Sequence, residues 1–265
     1  MRVHLVQLDC VWEDRDANRR RVAAMLDDAE VGRGDLVVLP EMFDTGFSFR
    51  LERTADTDGT TLAFLQTQAS QRGVWLVGSR SVLDAADAAP RGRNRCSVIG
   101  PDGTLVCEYD KVHPFSLGTP GVSRESDLFV SGMRVATTRL GAGDDTLVLC
   151  PTICYDLRFP ELYREGLRQG AELFTVIANW PDVRAFHFRT LCIARAIENQ
   201  AFVLAVNRCG KDPSLSYHGG SMIISPLGEV LAEADGREQV LSGTMDVATL
   251  RAWRDRFPAW RDRRL

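Results

Sequence analysis

A thiol, a carboxylate and an ammonium of complementary chemistry stand in this chain at the ends of three separate apolar runs. Cys154 lies in "PTICYDLRFPE" (151 to 161), before a polar turn and a helix that Pro160 can start and whose positive end suits Glu161. A free cysteine is ordinarily a packed hydrophobe. A cysteine at the C-terminal end of a strand can instead attack a carbonyl, provided a base removes its proton. Glu41 in "VVLPEMFDTGFS" (37 to 48) offers that base, since scarce water at the end of an apolar strand lets a carboxyl pKa rise. Lys111 in "EYDKVHPF" (108 to 115) offers a cation to a developing oxyanion and to a neighbouring thiol. Taken singly, each has a plainer reading: a packed thiol, a surface glutamate, a solvated edge charge. Together they describe acyl transfer through a thiol.

Positioning such groups requires strands whose ends meet. Short runs rich in Val, Ile and Leu alternate with helical patterns, which predicts an α/β layer architecture. Strands are expected at 2–9, 35–40, 74–82, 95–100, 104–109, 133–140, 146–153, 172–178, 201–207, 221–225 and 229–233, and helices at 16–30, 60–72, 160–169 and 184–200. "SVIGPDGTLVCEYD" (97 to 110) and "MIISPLGEVLAEAD" (222 to 235) both read as strand, Pro-x-Gly turn, strand, an echo that suggests two related halves. No linker separates the halves, and "DAADAAPRGR" (84 to 93) reads as a surface loop, so residues 1–265 are expected to form a single domain.

Composition removes several classes of function. With 45% hydrophobic and 26% charged residues, the 265-residue chain can bury a large core. A formal charge of -4 gives no global attraction for nucleic acid or an anionic membrane, and "RRR" at 19–21 reads as a solvated helix face. No run approaches the roughly 18 apolar residues of a membrane span, and the N-terminus enters strand-like residues without a signal-peptide core, so a cytoplasmic location is expected. The seven cysteines form an odd set without CxxC pairs, and the four histidines lack ligand spacing, which speaks against a disulfide framework or a metal centre. Cys10, Cys96, Cys107, Cys150, Cys192 and Cys209 read as packed thiols.

"LPEMF", "YDKVH" and "ICYDLRFPE", with 70 and then 43 residues from Glu41 to Lys111 to Cys154, resemble the Glu-Lys-Cys triad of the nitrilase superfamily, the carbon-nitrogen hydrolases. "ANWP" (178 to 181), "ARAIENQAFVLAVNRCG" (194 to 210) and "SPLGEVLAEA" (225 to 234) extend the likeness over nearly the whole chain. "CYDLRFPELYR", "ANWPDVRAFHFRTLCIARAIENQ" and the tail "RDRFPAWRDRRL" are similar to the omega-amidase branch. The resemblance implies a four-layer αββα sandwich of two stacked mixed sheets with helices outside, with no metal or organic cofactor. It also implies a homodimer or larger homo-oligomer, with the 247–265 tail packing on a partner subunit. Its activity would be release of ammonia from a small carboxylated amide, 2-oxoglutaramate or 2-oxosuccinamate, with water as the other reactant. Cys154 would be the nucleophile, Glu41 the base, Lys111 and the Tyr155 N–H the oxyanion donors, and Glu125 in "PGVSRES" a second glutamate that positions Lys111.

For the substrate's distal carboxylate, planar Arg158 is the natural cation, although it could equally pair with Asp156 or Glu161 and hold the turn. Tyr155, Phe43, His113, Trp180 and His218 are candidate pocket walls. Other readings stay open: an amidase for deaminated glutathione or an N-carbamoyl amino acid, a Cys-His hydrolase using His113, His187 or His218, or a non-catalytic interaction protein.

Overall fold

The computed structural model describes residues 1–83, 91–118, 124–141, 143 and 146–264. Its strands are β1 (Arg2–Gln7), β2 (Leu36–Val38), β3 (Trp75–Leu83), β4 (Gly92–Ile99), β5 (Leu105–Asp110), β6 (Thr138–Leu140), β7 (Leu147–Ile153), β8 (Leu173–Ala178), β9 (Phe202–Asn207), β10 (Cys209–Lys211), β11 (Ser216–His218), β12 (Met222–Ile224), β13 (Val230–Glu233) and β14 (Gln239–Thr244). The helices are α1 (Arg15–Asp28), α2 (Leu51–Thr54), α3 (Thr60–Arg72), α4 (Glu125–Leu128), α5 (Pro160–Arg168), α6 (Ala185–Asn199) and α7 (Val247–Arg256).

Two six-stranded sheets, ordered β14-β1-β2-β3-β4-β5 and β13-β12-β9-β8-β7-β6, stack face to face, as expected. Each is mixed: β1, β2 and β3 are parallel, as are β7, β8 and β9, whereas the outer strands pair antiparallel. Alternating side chains explain the layers. Leu36 and Val38 of β2 face the second sheet's Leu149, Leu173 and Leu204 in one core, while Val37 turns to Val22 and Leu26 of α1 and Leu65 of α3 in another. On the opposite face α5 and α6 cover the second sheet, with Tyr163 tilted against Phe174 at 5.0 Å. Burying each such aliphatic side chain contributes about 1.5–3 kcal/mol.

The Pro-x-Gly echo is topological as well. β1-β2-β3-β4-β5 and β7-β8-β9-β12-β13 follow the same order, and the turns into β5 and β13 place Gly103 and Gly228 at φ of 85° and 83°, where a Cβ would be strained. Other expectations need correction. β6 covers only 138–140 of the 133–140 run. Most of the 84–93 loop lies outside the described residues, and its last two residues already belong to β4. The β10–β11 hairpin, β14 and α7 have no counterpart among the predicted elements, because their half-exposed, polar-rich sequences lack a strong period.

In the 247–265 tail, Asp246 caps α7, whose Val247 and Leu250 enter the core of the same chain. Buried Arg254 donates to the carbonyls of Ala171 (2.7 Å), Gln200 (2.8 Å) and Asn199 (3.2 Å). Beyond α7, Phe257 is 54% exposed. Among the described residues no helix is long and apolar enough to cross a membrane.

Asp44, just after the Glu41 strand end, is buried; its Oδ2 accepts from Thr61 Oγ1 at 2.5 Å, and its Oδ1 has no hydrogen-bond partner among the described residues. Burial, opposed by that hydrogen bond and by Arg15, pushes its pKa up to about 6. A raised carboxyl pKa favours folding below the unfolded value and loses that contribution as pH climbs through the folded one. Asp44→Asn, which can still accept from Thr61, is therefore expected to raise Tm by several degrees at pH 8 and by little at pH 4. Thermal melts at both pH values check this; equal shifts would refute it.

Candidate active site

Four strand ends meet at one edge of the sandwich. Lys111 directly follows β5, Cys154 follows β7 and Asn179 follows β8, while Glu41 comes three residues after β2. The directions agree because β7 and β8 are parallel, and β5 returns to the direction of β3 and β2 after two antiparallel steps. Carboxyl ends of strands are the usual place for chemistry in such layers.

Glu41 is wholly buried, and both of its carboxylate oxygens accept hydrogen bonds. Its Oε1 accepts from Lys111 Nζ at 2.8 Å and from Asn94 Nδ2 at 2.7 Å, and its Oε2 from the Asn179 backbone N at 2.9 Å. The Asn179 side chain also donates to the Glu41 carbonyl at 2.6 Å, so the carboxylate and its own backbone are clamped together. The residue after it, Met42, sits at a positive φ of 44°, and its N–H is satisfied by Ser79 Oγ at 2.9 Å.

Lys111 Nζ is shared between Glu41 and Glu125, whose Oε2 and Oε1 lie at 2.8 and 3.1 Å. Glu125 begins α4, takes the Phe115 N–H at 2.5 Å and is bridged to Glu41 through Asn94 Nδ2 at 3.2 Å. Burial acts to depress the lysine's pKa, but the charges of Glu125 and Glu41 outweigh it and hold the ammonium above its ordinary value. For Glu125, burial raises the carboxyl pKa and Lys111 opposes it. Glu125, 14 positions after Lys111 in the sequence, thus lies against the lysine.

Cys154 has a positive φ of 47°, a conformation that costs a non-glycine residue on the order of 1–2 kcal/mol. The turn lifts the side chain out of β7 to the floor of a recess, 9% exposed, with Sγ 4.0 Å from the Asn179 carbonyl oxygen. Burial first, and then the Glu41 charge, push the thiol's pKa well above its usual value, with Lys111 pulling the other way. The Cys154 side chain is therefore held as a neutral thiol, and any attack from it would need a base. The carboxylate whose charge acts most strongly on this thiol is that of Glu41.

The recess encloses about 410 Å³ of empty space, its open mouth included, and is lined by Phe47, Phe115, Tyr155, Trp180 and Tyr217 besides Cys154. Arg158 and Arg184 line the same wall. The Arg158 guanidinium lies 4.8 Å from the Trp180 ring centre and 5.9 Å from that of Tyr155, and Arg184 lies 5.6 Å from Phe115. Neither arginine has a carboxylate partner among the described residues.

Of the residues nominated for the pocket, Tyr155, Arg158 and Trp180 line it, and three do not. Phe43 is core, stacked 6.0 Å from Phe64, because its strand end turns it towards α3; Phe47 takes the wall position instead. His113 turns to Asp156 and stacks on Phe159 at 3.7 Å. His218 is exposed because strand alternation in β11 gives the inward place to Tyr217. No histidine lines the recess, and the Arg158–Asp156 and Arg158–Glu161 pairs do not form. Asn94, Asn179, Asp156 and Arg184 went unrecognised in the sequence; "ANWP" held Asn179, but a lone Asn94 within a strand carries no local signal. Among the described residues no cluster of His, Cys, Asp or Glu suits a metal ion.

Residues 2–255 match the carbon-nitrogen hydrolase family model. The chain belongs to the carbon-nitrogen hydrolase family. It is 36% identical over 264 residues to an omega-amidase of Yersinia enterocolitica, covering 99% of this chain and 96% of that protein. It is 32% identical to a 2-oxoglutaramate amidase of Bacillus subtilis, covering 98% and 96%. The crystal structure of a CN-hydrolase superfamily protein from Xanthomonas campestris, with an arsenic adduct in its active site, superposes with a TM-score of 0.89 at 37% identity, covering 100% of this chain and 97% of that one. Nit3 of Saccharomyces cerevisiae, of the nitrilase superfamily, gives a TM-score of 0.85 at 27% identity with the same coverage. This carbon-nitrogen hydrolase is an amidase, a hydrolase of carbon-nitrogen bonds other than peptide bonds.

Proposed function

We propose that this enzyme releases ammonia from a small amide bearing a distal carboxylate, 2-oxoglutaramate or 2-oxosuccinamate, through a thioester on Cys154. The observation that supports this best is the pair of guanidinium groups, Arg158 and Arg184, held on aromatic rings in the recess above the thiol without carboxylate partners among the described residues. A substrate carboxylate would satisfy them, and bidentate arginine pairing would place the amide at Cys154.

In the proposed reaction Glu41 takes the thiol proton as Sγ attacks the amide carbon, and the oxygen's new charge is met by Lys111 Nζ and the Tyr155 N–H. The tetrahedral intermediate collapses as the C–N bond breaks, Glu41 returns the proton, and ammonia leaves. Water, deprotonated by the same carboxylate, then attacks the thioester carbon; the C–S bond breaks and the thiol is restored. Glu125 would hold Lys111 in place through both steps. The unit proposed to act is a single domain of 265 residues in the cytoplasm, where its seven free cysteines fit a reducing environment. Assembly would be a homodimer or larger, with the exposed end of the 247–265 tail against a partner.

Ammonia release from 2-oxoglutaramate, 2-oxosuccinamate, glutamine, deaminated glutathione and an N-carbamoyl amino acid tests the reading. The two oxo-amides are expected to be turned over far better than the rest. Arg158→Met is expected to raise their KM by about 10- to 100-fold with a smaller change in kcat, as loss of a buried charge-assisted pair predicts. Turnover of the carbamoyl compound alone, or an unchanged KM in Arg158→Met, would remove the substrate assignment.

A further inference from the structure

Asp156 takes no part in the proton transfers above, yet it is wholly buried two residues from the nucleophile and accepts four hydrogen bonds. Its Oδ2 accepts from Tyr109 Oη at 2.6 Å and from the Ile153 N–H at 3.0 Å. Its Oδ1 accepts from the His113 backbone N at 3.0 Å and from His113 Nδ1 at 2.8 Å. The identity of these donors is informative. Tyr109 and His113 stand two residues before and two residues after Lys111, and Ile153 immediately precedes Cys154.

One carboxylate therefore binds the chain on both sides of the lysine to the residue that enters the nucleophile's turn. β5 and β7 belong to different sheets, so no ladder of hydrogen bonds fixes one relative to the other. A turn with Cys154 at φ 47° also has no intrinsic reason to persist and must be held by its surroundings. The contact extends further, to the wall of the recess. The His113 ring lies flat on Phe159, 3.7 Å away at 7°, and Phe159 meets Tyr155 edge-on at 5.3 Å. Burial and the Asp156 charge keep the Tyr109 phenol far above its ordinary pKa, so it remains a donor.

We propose that Asp156 is a positioning residue that locks the strand ends bearing Lys111 and Cys154 together, so that ammonium and thiol face the same carbonyl. The inference rests on the reading of Cys154 as the nucleophile. It predicts a loss concentrated in kcat, because misplacing reacting groups by about 1 Å costs on the order of 10²-fold, whereas Arg158, Trp180 and Arg184 hold the substrate through other contacts.

The test compares Asp156→Asn, which keeps the shape but turns a donor towards donors, with Tyr109→Phe, which deletes one of the four bonds. kcat and KM are measured on the amide the enzyme turns over best, per folded molecule, with the folded fraction taken from far-UV circular dichroism and the melting curve. Expected results are a kcat lowered about 100-fold in Asp156→Asn and about 10-fold in Tyr109→Phe, with KM within about threefold in both. Retention of kcat within about twofold in both variants, or a loss carried by KM alone, overturns the proposal. If Asp156→Asn fails to fold, the kcat of Tyr109→Phe decides by the same criterion. Cys154→Ala is assayed alongside: an inactive Cys154→Ala with a fully active Asp156→Asn removes only the positioning role, whereas an active Cys154→Ala removes the nucleophile on which it rests.

Discussion

Cys154→Ala is expected to fold like the native chain and to lose at least about 10⁴-fold in kcat on the best amide substrate. No other group in the recess can replace the thiol. The remaining wall is aromatic, aliphatic or cationic apart from the Asn179 amide, and the Tyr217 hydroxyl is already given to Asp212 at 2.6 Å. Glu41 is enclosed by Lys111, Asn94 and Asn179 and is itself no free nucleophile. Folding should tolerate the change, because alanine is smaller and the turn is held by the backbone and Asp156 rather than by sulfur. Intact mass after brief exposure to substrate should show an acyl adduct on the native protein and none on the variant. Activity surviving at more than about a hundredth of native would reject thioester catalysis at this residue.

Lys111→Met is expected to be almost as damaging to rate and far more damaging to stability. The ammonium is 1% exposed between Glu41 and Glu125, which are both fully buried. Breaking a buried ion pair from one side typically costs about 3–5 kcal/mol, and here two carboxylates would be left facing each other across an apolar side chain. Glu125, whose carboxyl pKa burial and the Glu41 charge already raise, would lose the opposing Lys111 charge and resist ionisation further. The sign follows: carboxyl groups whose folded pKa lies above the unfolded one favour folding at low pH and lose that contribution as pH rises through the folded value. Lys111→Met should accordingly melt well below the native protein at pH 8 and recover part of the difference at pH 5. Its kcat should fall by about 10²- to 10³-fold through the lost oxyanion cation, as measured at the pH where it is fully folded. A melting deficit independent of pH would mean that the two glutamates do not depend on this lysine.

Much of this was legible without coordinates, for a physical reason. Strands buried on both faces must be written as continuous apolar runs, so β7 to β9 and the polar residues that end them stand out from the chain around them. The Pro-x-Gly turns mark both edge hairpins because φ above zero restricts the residue type. Glu41, Lys111 and Cys154 could thus be nominated from their place at the ends of such runs, and resemblance gave their joint pattern a family, with Glu125 added to it. By contrast β14 is half exposed, and it becomes a strand only because all six of its residues pair with β1 at the other end of the chain. α7 likewise owes its place to Arg254 finding three carbonyls of the body.

The pocket divided along the same line. Residue types along the sequence sufficed to nominate an aromatic and cationic wall, and Tyr155, Arg158 and Trp180 stand on it. The choice of Phe47 over Phe43 and of Tyr217 over His218 depended on which side of a turn or strand faces inward, a matter of one residue of register. Asp156 shows the limit most clearly. From its neighbours it looked like a partner for Arg158, yet its carboxylate is taken up by Tyr109 and His113, more than forty residues earlier. Sequence alone determined the layer architecture, the chemical types of the candidate triad and the family, because those are set by local pattern. Tertiary structure decided which side chains share one recess, which carboxylate holds the lysine and which holds the turn, because contacts between distant segments depend on how the two sheets stack.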